Sequence, residues 1–218
     1  MSDTPTSALI TTVNRSFDGF DLKALAKDLD VKLVPIHDEE LDISKVLAAE
    51  LLADGPALIV GAGNAHFDAQ VAAALGIPML LLVDKRGAHV SLARTQAKNV
   101  GGVVVAAFTA EEDAKPDKLK KAVRNSGALE PVMSAALFEN WLLKRARQEQ
   151  SHIVLPEGED DRILMAASQL LERDICEITI LGDPEQIQER ATELGLNLNK
   201  AYVIDPLNDP KGEEFAQQ

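Results

Sequence analysis

The chain has 218 residues, a length that permits one large domain or two small ones. Its composition, 46% hydrophobic and 26% charged, is ordinary for a soluble globular protein, and no apolar run approaches the ~20 residues that a membrane helix needs. The formal net charge of −13 argues against sequence-independent nucleic-acid binding, which relies on lysine and arginine neutralising phosphates. We therefore expect a cytoplasmic protein that binds neither nucleic acid nor a membrane.

Apolar runs of strand length alternate with helical patterns in the first part of the chain. Continuous apolar runs indicate strands that are buried on both faces, and their alternation with helices indicates βαβ units and a parallel sheet. Because crossovers are right-handed, we predict an α/β fold over residues 1–130, a Rossmann-like parallel sheet with helices on both faces. The predicted strands are 8–13, 31–36, 57–60, 79–83 and 103–108, and the predicted helices are 20–29, 43–52, 66–75, 91–99 and 110–125.

The pattern then changes to a single longer helix. Phe138, Leu142 and Ala146 follow a helical spacing, which predicts a connecting helix over residues 131–150. Strand-like runs at 153–155 and 178–181 predict a partial second α/β unit over residues 151–218. Charge differs between the two parts: residues 1–150 carry 17 basic and 20 acidic side chains, and residues 151–218 carry 5 and 15. An anionic ligand would therefore need a basic pocket built mainly elsewhere.

A glycine-containing turn follows the strand predicted at 57–60. Gly61, Gly63 and Asn64 stand between that strand and a helix, where glycines let the backbone approach a phosphate and the helix start supplies free N–H groups. A third glycine of a dinucleotide fingerprint is absent, and the chain has no Gly-Lys-Ser/Thr of a P-loop. A ligand loop and a tight strand-to-helix turn both remain open. The four histidines and Cys176 lack metal-ligand spacing, so no metal site is predicted.

A Pro-Glu-Gly turn follows the strand predicted at 153–155. Glu157 and Arg162 lie at the carboxyl end of that strand, the edge of a parallel sheet that faces a ligand crevice. We therefore take both as candidate substrate-binding residues at the rim of a cleft. The alternative is structural, because acids in the first turn of a helix complement its dipole.

The segment 137–206 resembles the opening of the phosphate acetyltransferase catalytic domain. The similarity rests on Leu137 to Ala146, which is similar to the helix that precedes that domain, on His152 to Arg162 and Ile178 to Ile187, and on Val203 to Pro206. Residues 1–130 resemble, less specifically, the dethiobiotin-synthetase-like N-terminal region of the long forms, which in that family regulates or assembles the enzyme.

The resemblance implies a transferase that interconverts acetyl-CoA and phosphate with acetyl phosphate and CoA. It implies coenzyme A as a substrate, no covalently bound cofactor, a homo-oligomer and a role in acetate metabolism. The family's serine, arginine and aspartate catalytic elements match no position here, so the catalytic residues are unknown and we expect this chain alone to be inactive. The alternative is a non-enzymatic regulatory or oligomerisation module that binds a nucleotide or a partner protein.

Overall fold

A computed structural model describes residues 6–36, 41–110 and 116–208. The chain forms two compact units, Met1–Asn140 and Trp141–Gln218. We call them unit 1 and unit 2 and describe each by itself. In the described part of the chain, no helix combines the length and apolar character that crossing a membrane requires.

Unit 1 contains a five-stranded parallel sheet. Its strands are β1 (Ala8–Val13), β2 (Lys32–Pro35), β3 (Ala57–Val60), β4 (Met79–Val83) and β5 (Val104–Phe108), in the spatial order β2-β3-β1-β4-β5. The helices between and after them are α1 (Leu22–Leu29), α2 (Ile43–Ala48), α3 (Ala65–Leu75), α4 (Ala88–Asn99) and α5 (Pro116–Asn125).

Two apolar cores lie on opposite faces of this sheet. Leu9 contributes to the core formed with α3 and α4, whereas its neighbour Ile10 contributes to the core formed with α1 and α5. Successive side chains of a strand point to opposite faces, so the five buried residues of β4 serve both cores. This arrangement confirms the predicted Rossmann-like sheet with helices on both faces.

The long helix α6 (Ala135–Glu149) spans the boundary between the units, and its residues from Trp141 onward belong to unit 2. After α6, the elements of unit 2 are β6 (His152–Leu155), α7 (Asp161–Glu172), β7 (Glu177–Leu181), α8 (Pro184–Glu193) and β8 (Tyr202–Ile204). The strands form a parallel sheet in the order β6-β7-β8. Side chains from α7 and α8 share one core with Ile178 and Ile180 of β7, so both helices cover the same face of the sheet.

Most predicted elements agree with the structure to within a few residues. The predicted helix over 43–52 is shorter, because α2 ends at Ala48 and Glu50 has a left-handed backbone with φ of 47°. Of the predicted helix over 110–125, residues 111–115 lie outside the described part of the chain, and the remainder from Pro116 to Asn125 is α5. The connecting helix predicted over 131–150 is α6, which begins at Ala135.

Candidate functional site

An open cleft of about 1430 Å³ lies at the carboxyl edge of the sheet in unit 2. Its walls come from three segments at the carboxyl ends of the strands: Pro156 to Arg162 after β6, Leu181 to Asp183 at the end of β7, and Asp205 to Asn208 after β8. Gln186 and Arg190 of α8 complete the lining. Ligands of open α/β sheets bind at this edge. The structure therefore places both Glu157 and Arg162 at one cleft.

The Pro-Glu-Gly turn is fixed against the end of β7. The Gly158 amide donates a hydrogen bond of 3.1 Å to the Leu181 carbonyl. A Cβ at Gly158 would stand 2.6 Å from that carbonyl oxygen and 2.7 Å from Cδ1 of Ile187. Only glycine fits this approach without movement of the backbone. The turn that carries Glu157 is thus held in place by packing rather than by its acidic side chains.

The acids that follow the turn begin helix α7. Asp160 is the N-cap residue, and its carboxylate accepts a hydrogen bond of 2.9 Å from the backbone amide of Arg162. The Arg162 guanidinium donates to the same carboxylate from Nε and Nη2. These bonds from Arg162 lower the pKa of Asp160 to about 2. The capping role proposed for the acids is therefore present, and the side chain of Arg162 is paired with Asp160.

A second ion pair joins α7 to α8 beside the cleft. Arg190 donates from Nε and Nη2 to the two carboxylate oxygens of Asp161, at 2.8 and 2.7 Å, and from Nη1 to Glu193. The bonds from Arg190 lower the pKa of Asp161. Sequence reasoning missed this pair because its members stand 29 residues apart. The one sequence feature that they share is that each lies in a helix directly after one of two neighbouring strands, β6 and β7.

The described lining of the cleft is strongly acidic. Its charged side chains are two guanidiniums, Arg162 and Arg190, and six carboxylates, namely Glu157, Glu159, Asp160, Asp161, Asp183 and Asp205. Both guanidiniums are engaged with carboxylates of the chain itself. A phosphate or a phosphorylated substrate would meet a negative potential here. The cleft therefore needs additional cations before it can hold an anionic substrate.

The other predicted loop lies in unit 1, between β3 and α3. Asn64 caps α3 by accepting a hydrogen bond of 3.1 Å from the Phe67 amide. The amides of Ala62 and Gly63 donate to Asp68 at 2.8 and 3.1 Å. Two N–H groups that a phosphate would use are thus bound by a side chain of the same unit. A ligand role for Gly61, Gly63 and Asn64 stays a prediction. The observed hydrogen bonds form a tight strand-to-helix turn.

Asp68 is fully buried and accepts the hydrogen bonds that hold this turn together. Its carboxylate also accepts a hydrogen bond of 2.5 Å from the hydroxyl of Thr11 on β1. Burial raises the pKa of Asp68, while the bonds from Thr11, Ala62 and Gly63 oppose that rise. A Cβ at Gly61 would stand 2.5 Å from the carboxylate, so glycine there makes room for Asp68.

Within the described ranges, the side chains form no group of three or more histidine, cysteine, aspartate or glutamate residues that could hold a metal ion. Cys176 is a half-buried free cysteine, and burial raises the pKa of its thiol. A raised thiol pKa reduces the thiolate population and hence nucleophilic reactivity. The raised pKa therefore disfavours a nucleophilic role for Cys176.

Comparison with known proteins finds similarity in the second part of the chain. The family model described as "Phosphate acetyl/butaryl transferase" matches residues 137–218. The phosphate acetyltransferase of Corynebacterium glutamicum is 77% identical over 86 residues, which are 39% of this chain and 26% of that protein. That of Nitratidesulfovibrio vulgaris is 36% identical over 92 residues, 42% of this chain and 12% of that protein.

Two further matches have similar extent. The phosphate acetyltransferase of Clostridium acetobutylicum is 38% identical over 72 residues, 33% of this chain and 22% of that protein. A solved structure, the EutD phosphotransacetylase from Staphylococcus aureus, is 36% identical over 35% of this chain and 24% of that one, with a TM-score of 0.31. The chain thus spans about a quarter or less of the length of these three curated relatives. Residues 137–218 are thus similar to the phosphate acetyl/butaryl transferase family.

Proposed function

We propose that the chain is the N-terminal portion of a phosphate acetyltransferase, the enzyme that interconverts acetyl-CoA and phosphate with acetyl phosphate and CoA. The strongest support for this proposal is that the family match and the cleft fall in the same segment of the chain. The segment that is similar to phosphate acetyltransferases contains the three parallel strands whose carboxyl ends open into the cleft. In this proposal residues 151–218 are the start of the catalytic domain, and residues 131–150 connect it to the N-terminal domain.

The reaction sets clear chemical requirements. The thiol sulfur of CoA bonds to the acyl carbon, the bond from that carbon to the phosphate oxygen breaks, and the thiol proton passes to a base. Preorganised hydrogen-bond donors and cations must stabilise the negative charge on the acyl oxygen and on the leaving phosphate. Glu157 and Arg162 would stand at the rim of such a site. We assign no catalytic residue to this chain.

The electrostatics of the cleft support the expectation that the chain alone is inactive. Among its described lining residues carboxylates outnumber guanidiniums, and Arg162 and Arg190 are each bound to carboxylates of the chain. Releasing either guanidinium for a substrate would leave a carboxylate facing the same anion. The cations that the reaction needs must then come from a segment outside this cleft wall.

The remaining parts of the proposal concern the rest of the molecule. Residues 1–130 would form a dethiobiotin-synthetase-like domain without a P-loop that regulates or assembles the enzyme. The assembled enzyme would be a cytoplasmic homo-oligomer that uses coenzyme A as a substrate and holds no covalent cofactor. The parallel sheet of unit 1, with helices on both faces, is compatible with that assignment.

An activity assay combined with ligand screening tests this proposal. The purified 218-residue chain is incubated with acetyl phosphate and CoA, and acetyl-CoA is quantified against a protein-free blank. We expect no acetyl-CoA above the blank. Thermal shifts are then measured with CoA, ATP and NADH added separately. Stabilisation by CoA alone supports an acyltransferase portion, whereas a response to ATP or NADH alone supports a nucleotide-binding regulatory module instead.

A further inference from the structure

A short irregular segment between α5 and α6 lies against the helical layer of unit 1. Residues 129–132 form neither helix nor strand, and we call them the strap. The Val132 amide donates a hydrogen bond of 2.8 Å to the Ala73 carbonyl, near the end of α3. Ser134 then caps α6, because its hydroxyl oxygen accepts a hydrogen bond of 3.1 Å from the Leu137 amide. The strap therefore connects the end of α3 to the start of α6.

Two glycines at the ends of helices form the surface on which the strap lies, and we call this surface the seat. Gly76 ends α3 with a left-handed backbone, and a Cβ there would stand 2.7 Å from the Leu129 carbonyl oxygen and 3.1 Å from Cδ of Pro131. Gly101 follows α4 with φ of 84°, and a Cβ there would stand 2.6 Å from Cγ2 of Val132. The strap thus occupies the space that side chains at both positions would fill.

The strap is only shallowly held. Val132 is 42% exposed although it covers Gly101, and the next residue, Met133, is 63% exposed. A cavity of about 80 Å³ remains between strap and seat, lined on the strap side by Leu129 and Glu130. Groups that line such a gap lose packing contacts there. Because a segment with few buried apolar contacts opens locally at a lower cost than a core, the strap should open before the rest of unit 1.

The layer under the strap is well buried by comparison. In α3, Ala72, Ala73 and Ala74 are all buried, and so is every residue of β4. Opening of the strap breaks the bond from Val132 to Ala73 and the contacts with the seat, but it leaves this core in place. Global unfolding would instead expose both apolar cores of unit 1. The two kinds of opening therefore differ strongly in free energy.

We infer that the strap is a releasable anchor, which holds the start of α6 on unit 1 and leaves its seat while the sheet of unit 1 stays folded. The segment that matches the transferase family begins at residue 137, shortly after the strap. The strap is therefore the covalent link through which a change in unit 1 reaches that segment. Strap and seat both belong to unit 1, so their release is tested independently of the proposed function.

Native-state hydrogen exchange of the 218-residue chain, followed by NMR, tests the release. The reporter is the Val132 amide, and the reference is the Leu81 amide of β4, which lies between two paired strands. After correction for intrinsic rates, we expect the Val132 amide to exchange at least about a hundredfold faster than the Leu81 amide. Equal protection of the two amides would overturn the inference, because the strap would then open only when unit 1 unfolds.

Gly101→Ala tests what holds the strap. The new methyl group would meet Val132, whose branched side chain is short and stiff, so the strap must move. Gly19→Ala is the matched control, because Gly19 lies in unit 1 with φ of 75° and a Cβ there would meet nothing within 4 Å. Both variants carry the strain of a left-handed alanine, but only Gly101→Ala displaces the strap.

We expect the Val132 amide to exchange about tenfold or more faster in Gly101→Ala than in Gly19→Ala, through overpacking of the seat. The Leu81 amide should not show this difference. Equal rates for the Val132 amide in the two variants would mean that the seat does not hold the strap, and would also overturn the inference.

Val132→Ala keeps the test decisive if Gly101→Ala does not fold. It removes the methyl groups that cover Gly101 and leaves the glycine backbone unchanged. The amide at position 132 should then exchange faster than in the wild type. Met133→Ala, at the exposed neighbouring position, should leave the exchange of the Val132 amide unchanged. If the amide at position 132 exchanges no faster in Val132→Ala than in Met133→Ala, the inference is wrong.

Discussion

Arg190 on α8 binds Asp161, the first residue of α7, with two parallel hydrogen bonds of 2.7 and 2.8 Å. The pair links the two helices that follow neighbouring strands, directly beside the cleft. The side chains are 44% and 39% exposed, so solvent screens their attraction and the pair contributes little to stability. Its main effect is to engage the guanidinium of Arg190 with carboxylates of the chain itself.

The Arg190→Gln substitution should raise the pKa of Asp161. In the wild type the hydrogen bonds from Arg190 are the largest cause of the lowered pKa of Asp161. An NMR titration of side-chain carboxyl carbons measures this directly. Lys200→Gln is the matched control, because Lys200 lowers the pKa of Asp174 and has no bond to Asp161. An unchanged Asp161 titration in Arg190→Gln would show that the pair is absent in solution.

Asp160 should stabilise unit 2 at neutral pH and stop doing so in acid. Hydrogen bonds from Arg162 lower its pKa to about 2, below the ~3.9 of an unfolded aspartate. Asp160 therefore binds a proton more readily in the unfolded chain than in the folded one. The stabilisation that ionised Asp160 contributes is complete above pH ~3.9, the pKa in the unfolded chain, and is lost as the pH falls through the pKa in the folded chain. Urea unfolding at a series of pH values measures the effect.

Arg162→Gln is the informative variant for this pH dependence. Loss of the guanidinium should raise the pKa of Asp160 and weaken the decline of unit 2 stability between pH ~4 and ~2. Glu159→Gln serves as a control because Glu159 is exposed and is not among the causes of the Asp160 shift. If the free energy of unfolding falls with pH equally in Arg162→Gln and in the wild type, the effect of Arg162 on the pKa of Asp160 would be contradicted.

Much of the fold could be predicted because its strands are continuous apolar runs. β1, β3 and β4 have the predicted bounds, since burial on both faces forces every position to be apolar or threonine. The similarity to phosphate acetyltransferases could also be predicted, because the patterns at His152 to Arg162 and Ile178 to Ile187 lie within the segment that the family model matches.

Interactions between distant residues could not be predicted in the same way. The Asp68 carboxylate looks in the sequence like an ordinary acid near a helix start, yet it is fully buried against Thr11, 57 residues away. The Asp161–Arg190 pair spans 29 residues for the same reason. Nor does the apolar run at Ile153 and Val154 reveal that both side chains are substantially exposed, because exposure depends on which layer covers the strand.

Asp68→Ala should destabilise unit 1 strongly. The amides of Ala62 and Gly63 and the Thr11 hydroxyl would lose their acceptor, and buried unsatisfied groups cost ~1–3 kcal/mol each. Because relief of the carboxylate's own burial offsets part of this, we expect a loss of about 2–4 kcal/mol in the free energy of unfolding.

Urea denaturation followed by circular dichroism measures the Asp68 effect. Asp28→Ala, at an exposed aspartate of α1, should change the free energy of unfolding by no more than about 0.5 kcal/mol. If Asp68→Ala were as stable as Asp28→Ala, the buried network around the β3–α3 turn would be contradicted.

Gly158→Ala should destabilise unit 2 by about 1–3 kcal/mol through overpacking. The new methyl group would stand 2.6 Å from the Leu181 carbonyl oxygen and 2.7 Å from Ile187 Cδ1, so the turn or the end of β7 must move. Thermal unfolding compares it with Glu159→Ala, a change at the exposed neighbouring position. Equal melting temperatures for the two variants would disprove the close approach of this turn to β7.

The formation of acetyl-CoA from acetyl phosphate and CoA tests the central claim most directly. The measurement compares the 218-residue chain with the chimera in which residues 137–218 replace the corresponding stretch of the Corynebacterium glutamicum relative. The account predicts acetyl-CoA from the chimera and none above the blank from the chain alone. Turnover by the chain alone, or a folded chimera that forms no acetyl-CoA, would contradict it.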